Sequence, residues 1–260
     1  MKTFLCLVTS SLATLCAQPA VAPPQLGFVQ DGGNGLRPAF GIAGNFVLGE
    51  SFAPAVVSSA FSGSFGLVKT DDSLTVIDRQ GQVIASTSTE AGPALFGFSR
   101  YGAPAFVYLA AVNQLLAWTG QGFEPTLVDP VASGLSVVLS VGVSTDRQPV
   151  IVGWQDNCLV QTGFSLADGL SQWQVPLLNV AGPVLLLPNG WLVYSDLNGV
   201  VIRRNDQVDT RIAASLPARF ALQQMGSDWI EIRDLDGPSQ LALRITPGLE
   251  QVYSLPQVQQ

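Results

Sequence analysis

The sequence contains no histidine. That removes the commonest general base and the commonest transition-metal ligand, and it excludes Ser-His-Asp and Cys-His nucleophilic chemistry. Lysine is nearly absent too, with only Lys2 and Lys69. Charged residues make up 12% of the 260-residue chain, and 19 acidic side chains outweigh 12 basic ones for a net charge of −7. An acidic chain so poor in lysine is unsuited to nucleic acid or to an anionic lipid surface. Only three cysteines occur, Cys6, Cys16 and Cys158. No segment beyond the N-terminus is long and apolar enough to span a bilayer, and no stretch keeps helical periodicity over three turns.

The first residues read as a secretory leader. Lys2 supplies the positive end, Phe4 to Leu15 forms a short apolar run, and Cys16-Ala17 offers small residues for cleavage. The expected organisation is a signal peptide over 1–17, a Pro- and Ala-rich linker over 18–24, and one folded domain over 25–260. Cys16 also invites a lipoprotein reading, but Leu15 stands where a small residue is needed. The expected location is outside the cytoplasm, periplasmic or extracellular. Loss of the leader leaves Cys158 as the only thiol, so no disulfide staples the fold and stability must come from burial. Without a histidine to activate it, Cys158 is expected to be a small buried hydrophobe.

What the chain does have is apolar surface, at 47%, together with 26 glycines and 17 prolines. Apolar runs of five to eight residues alternate with turn signals, and they recur at a fixed period. One class of strand starts at Leu74, Leu115, Leu159, Val200 and Leu241, with spacings of 41, 44, 41 and 41. The strand before it starts at Phe65, Ala105, Val150, Trp191 and Trp229, with spacings of 40, 45, 41 and 38. Each unit holds four short strands, the pattern of a propeller blade. A blade cannot bury both faces alone, so neighbours must stack until the ring closes. The fold class is therefore all-β, a β-propeller of six blades (five or seven being the alternatives), with the first blade incomplete. Leu26–Gln30 and Leu36–Phe40 read as the last two strands of that blade, and Gly44–Phe52 or the tail 251–260 are candidates to complete it. The strands starting at Ala94, Leu135, Val184 and Arg219 are expected nearest the axis. A long sandwich or barrel would explain the strands but not the period.

The stretch from Phe65 to Thr89 resembles a blade of the YVTN-type propellers, in which a V-x-V-I-D strand turns at Gly or Asn into a Val-rich return. The matching residues are Leu74, Val76, Ile77, Asp78, Gly81, Val83 and Ile84. The resemblance covers one blade. It implies the fold, and its family includes binding scaffolds, assembly factors and some enzymes.

The turns between second and third strands are acidic. They carry Asp71, Asp72, Asn113, Asp156, Asn157, Asp196, Asn198, Asp234 and Asp236. On one face of a ring they could meet Ca²⁺ or a basic partner. The same residues are also those that hairpin turns require. Trp118, Trp154, Trp191 and Trp229 recur at similar places in their units and are expected to fill the wedges between blades; Trp173 falls in an outer strand. Arg100-Tyr101 and Asp146-Arg147 fall in turns between first and second strands. The function expected from this set is an exported, non-enzymatic interaction module with a protein partner and no resident metal or cofactor. The alternative is a Ca²⁺-dependent hydrolase of lactonase or phytase type that uses the carboxylates of one face.

Overall fold

The computed structural model of the protein describes residues 23–205 and 208–257; the leader, most of the linker and Gln207 lie outside them. Six antiparallel sheets follow one another along the chain. The first holds β1 (Gln25–Gln30), β2 (Leu36–Ile42) and β3 (Asn45–Leu48), and the second β4 (Ser58–Phe61), β5 (Phe65–Lys69), β6 (Ser73–Asp78) and β7 (Val83–Ser88). The third holds β8 (Ala94–Ser99), β9 (Gly102–Leu109), β10 (Gln114–Trp118) and β11 (Phe123–Pro125), and the fourth β12 (Val137–Val143), β13 (Pro149–Gln155), β14 (Cys158–Phe164) and β15 (Ser171–Pro176). The fifth comprises β16 (Ala181–Leu186), β17 (Leu192–Asp196), β18 (Gly199–Arg203) and β19 (Asp209–Ala213), and the sixth β20 (Phe220–Gln224), β21 (Trp229–Asp234), β22 (Gln240–Arg244) and β23 (Gln251–Ser254).

The sheets form a six-bladed β-propeller, and side-chain alternation is what closes it. Along β5, Phe65 and Leu67 pack against Phe98 and Val107 of the third blade, whereas Val68 packs against Phe28 and Leu36 of the first. Successive side chains point to opposite faces, so each second strand serves two interfaces. Apolar clusters join blades three and four, four and five, and five and six. A last one joins six to one, with Val29, Ala39 and Phe46 against Met225, Trp229 and Ala242. No blade keeps an uncovered face, so a sandwich is excluded.

The inner strands are β4, β8, β12, β16 and β20, and each touches the next. Side chains bridge them: Ser58 Oγ accepts from Ala94 N at 3.1 Å, and Ser140 Oγ accepts from Leu186 N at 2.8 Å. Four of these are the strands expected near the axis. The first blade departs from expectation in one respect. β1 begins beside Ser62-Gly63 and Gly226-Ser227, the first–second turns of its neighbours. It therefore runs in the sense of the second strands. Leu26–Gln30 and Leu36–Phe40 are thus the second and third strands of the blade, not its last two, and Asn45–Leu48 is the fourth. Among the described residues this blade has no inner strand, and β20 touches β4 directly across the gap. The tail forms β23, the outer strand of blade six.

Other expectations meet mixed outcomes. Trp118 and Trp229 are buried between blades and Trp191 packs against the cluster of blades five and six. Trp154 does not fill a wedge: it is 37% exposed near the end of β13, where it pairs with Val137 and Leu159. Trp173 lies in an outer strand. The last strand of blade three is the short Phe123–Pro125. Cys158 is exposed, not buried, because it is the first residue after a two-residue turn and its neighbour Leu159 takes the inward position.

Candidate interaction face and the seam of the ring

All second strands run in one sense, so their turns to the third strands emerge together on one face. The acidic residues read from the sequence all lie there, along with Asp31 of the first blade, which the sequence reading passed over. Their local chemistry is that of turns. Asp156 and Asn157 have φ of 46° and 63°, the left-handed pair that a two-residue hairpin requires. Asn113 has φ 49°, and its side chain accepts from Tyr108 OH at 2.9 Å and donates to Asp129 at 2.7 Å. Asp196 Oδ1 accepts from Asn198 N at 2.8 Å, and Asp234 Oδ1 from Asp236 N at 2.9 Å. Asp72 accepts from Thr70 Oγ1 at 2.9 Å. Asp71 offers its carbonyl to Lys69 Nζ at 3.0 Å. Lys69 is fully buried, and that burial lowers its pKa against the opposing pull of Asp71 and Asp72.

The face is not uniform. In blades five, six and one the carboxylates meet arginines: Asp196 with Arg211 at 3.4 Å, Asp236 with Arg219 at 2.9 Å, and Asp31 with Arg37 at 2.6 Å. Among the described residues Asp71, Asp72, Asp129 and Asp156, in blades two to four, form no ion pair within 4 Å. Apolar side chains are exposed in the same set of turns: Val112 and Trp154 in blades three and four, Leu197 (fully exposed) and Leu235 in blades five and six. Asp234 and Asp31 line one cleft, but the remaining acidic turns stay apart. Among the described residues no three Asp, Glu or Cys side chains converge to hold a metal ion.

The lack of an inner strand in blade one among the described residues shapes the seam between blades six and one. The role of such a strand as a partner for β1 is taken by groups of blade six. Phe28 N donates to Met225 O at 3.0 Å, and Gln30 N donates to Glu231 Oε2 at 3.5 Å. Gln240 Nε2 donates to Gln30 O and to Glu231 Oε1, the latter at 3.2 Å. The backbones approach so closely that a Cβ on Gly27 would lie 1.5 Å from Met225 O; Gly27 has φ 154°. Glu231 is fully buried, and desolvation pushes its pKa up to about 7 against the pull of Arg233. The alternation Trp229-Ile230-Glu231-Ile232-Arg233 carried this signal: the isoleucines occupy one interface, so Glu231 must face the other.

The central cavity, of about 220 Å³, is lined by the inner strands, with Leu95, Leu139, Leu185 and Leu222 alongside Ser58, Ser59 and Gln223. One lining residue belongs to a second strand. It is Arg233, register partner of Ala221 in β20.

No protein-family model matches the sequence, and no curated protein does. Solved structures match the fold. The chain is similar to one in a nidogen/laminin complex, with a TM-score of 0.54 and 14% identity over 90% of this chain and 99% of that one. TolB from Acinetobacter baumannii has a TM-score of 0.57 and 11% identity over 90% of this chain and 64% of that one. A protein of unknown function from Bacteroides caccae has a TM-score of 0.53 and 11% identity over 91% of this chain and 100% of that one. At these identities the likeness establishes the β-propeller repeat fold.

Proposed function

We propose that the protein is an exported, non-enzymatic interaction module that docks a basic, partly apolar segment of a protein partner on its acidic turn face. The observation that carries this reading is the combination of unpaired carboxylates in blades two to four with the protruding Trp154, Val112 and Leu197. Exposed apolar tips ringed by one sign of charge are the make-up of a protein interface, the apolar groups supplying affinity and the charges steering approach. A net charge of −7 points the same way, toward a basic partner and away from nucleic acid. A chain of similar fold occurs in a nidogen/laminin complex, and the Phe65–Thr89 stretch of the sequence resembles a YVTN-type blade. Export rests on Lys2, the short apolar run and Ala17.

Recovery of partners from an envelope fraction at low salt tests the reading. The wild type should retain a protein that is released by roughly 0.5 M NaCl, since exposed charges are screened at that ionic strength. Joint replacement of Asp71, Asp72 and Asp156 by Asn should abolish the capture. Replacement of Arg79, Arg100 and Arg147 by Gln on the opposite face should leave it intact. Equal capture by all three, or loss only in the arginine variant, refutes the assignment. N-terminal sequencing of the exported chain should begin near Gln18; intact Met1 on soluble cytoplasmic protein refutes export.

A further inference from the structure

Blade four turns one face of its outer half toward blade five. Side chains alternate along β14, so Leu159 joins the wedge between these blades, and Gln161 and Gly163 follow on the same face. Their register partners in β15 are Val175 and Trp173. A Cβ on Gly163 would lie 2.3 Å from both Cε2 and Nε1 of Trp173 and 2.7 Å from Cζ2. Near-equal distances to three ring atoms put the indole face-on over the glycine, which has no side chain to lift it. One face of the ring therefore lies on the sheet and the other is turned outward, and Trp173 is 41% exposed.

Blade five supplies the facing wall. Val201 belongs to the same wedge, and Arg203, two residues on, continues that face of β18. The two walls and the Leu177-Leu178 link enclose a cleft of about 360 Å³ at the rim of the ring, within the range of small-molecule sites. Trp173, Val175 and Leu178 give it exposed apolar surface. Its cations are already paired. Arg203 donates to Asp209 from Nε at 2.8 Å and from Nη2 at 3.1 Å, and Arg204 is bound to Glu250, next to β23. Arg203 also donates to Tyr194 OH at 2.9 Å and from Nη1 to Leu178 O at 3.3 Å. Of the five N–H groups of a guanidinium, one on Nη1 is left. The Gln161 amide, half-buried in the same cleft, makes no side-chain hydrogen bond among the described residues.

These walls select the ligand. Among the described residues they carry no unpaired charge, so nothing in them favours an ion. The outward indole face is a flat apolar platform. Beside it stand an amide that both donates and accepts and a guanidinium N–H that donates. A pyranose ring is the complement: a patch of C–H groups on one face, and around its edge hydroxyls that donate and accept. An apolar aromatic ligand would cover the indole but enclose the Gln161 amide without a partner, which is costly. We propose that the cleft between blades four and five binds a neutral sugar, its C–H face stacked on Trp173 and its hydroxyls bonded to Gln161 and to Nη1 of Arg203.

Maltotriose, cellotriose, chitotriose and mannotriose test this, titrated against the whole protein by calorimetry and tryptophan fluorescence. At least one should bind with a Kd on the order of 1 mM or tighter. Sorbitol, which has hydroxyls but no ring face, and adenosine, which has a flat base, should not bind in that range. Trp173→Ala should lower the affinity about 10- to 100-fold, Trp173→Phe should recover part of it, and Gln161→Ala should cost about 2- to 10-fold. Unchanged Tm values without ligand would show that the variants fold. Because the ligand is neutral, affinity should be the same at about 0.05 and 0.5 M NaCl, and the joint Asn replacement of Asp71, Asp72 and Asp156 should leave it intact, which separates this site from the acidic turn face. Retention on insoluble cellulose, starch or chitin that Trp173→Ala loses identifies a polymer chain as the source. Trisaccharide binding without such retention identifies a free oligosaccharide, and either supports the site. No binding of any of the four sugars, equal binding of sorbitol or adenosine, or unchanged affinity in Trp173→Ala overturns the proposal.

Discussion

Replacing Glu231 by Gln isolates the cost of closing a ring with a side chain in place of a strand. Glu231 is fully buried, and its carboxyl titrates near pH 7 in the fold against 4.5 ordinarily. Burial raises the folded pKa, so between these values the folded protein holds a proton that the unfolded chain has released. Stability is then greatest below the unfolded pKa and falls as pH rises through the folded one. A shift from 4.5 to about 7 corresponds to about 3 kcal/mol lost between about pH 4 and pH 8, with a plateau above. For a domain of this size that is a fall in Tm of about 6–12 °C. Glutamine carries no charge and keeps one of the two acceptor positions that Gln30 N and Gln240 Nε2 use. The assay is urea unfolding of wild type and Glu231→Gln across that pH range. The other carboxylates titrate alike in both proteins, so the difference between the two curves reports Glu231. Glu231→Gln should be the more stable protein above about pH 7, as removal of a buried charge often is. Parallel curves for the two proteins, or a wild type that gains relative stability as pH rises, would refute the reasoning.

Gly27→Ala should destabilise by about 3 kcal/mol or more, because its Cβ would overlap Met225 O and no small shift relieves a backbone contact; urea midpoints measure it. Leu186→Ala, at a buried inner-strand position in the wedge between blades four and five, should cost about 2–5 kcal/mol, whereas Val83→Ala on the exposed outer strand β7 should stay within about 0.5 kcal/mol. Asp196→Asn and Asp234→Asn should each change stability by no more than about 0.5 kcal/mol, since Asn serves these turns nearly as well. A loss of several kcal/mol that depends on added Ca²⁺ would restore the metal reading.

The period of about forty residues, the four strands per unit and the acid-rich turns were legible in the chain because they are local. Alternation of apolar side chains marks a strand, and Asp, Asn and Gly mark the bends that join strands, as at Asp156-Asn157 with its two left-handed residues. Repetition then implied a ring, since no blade can cover its own faces. The character of Cys158 and Trp154 was not legible, because side chains alternate between the two faces of a strand and a shift of one residue reverses which of them turns inward. Nor was the seam. Nothing in Gln25–Gln30 says whether it is a first, second or third strand, as all three alternate in the same way. Its place depends on which turns it starts beside, and those belong to residues some forty and two hundred positions away. The burial of Glu231 and the position of Arg233, which borders both the central cavity and the cleft that holds Asp31 and Asp234, follow from that placement. The sequence alone determined the repeat, the blade and the acidic turn face, all of which arise from neighbours along the chain; only the tertiary structure decided that, among the described residues, the ring closes without a sixth inner strand, because closure is a contact between blades one and six, about two hundred residues apart.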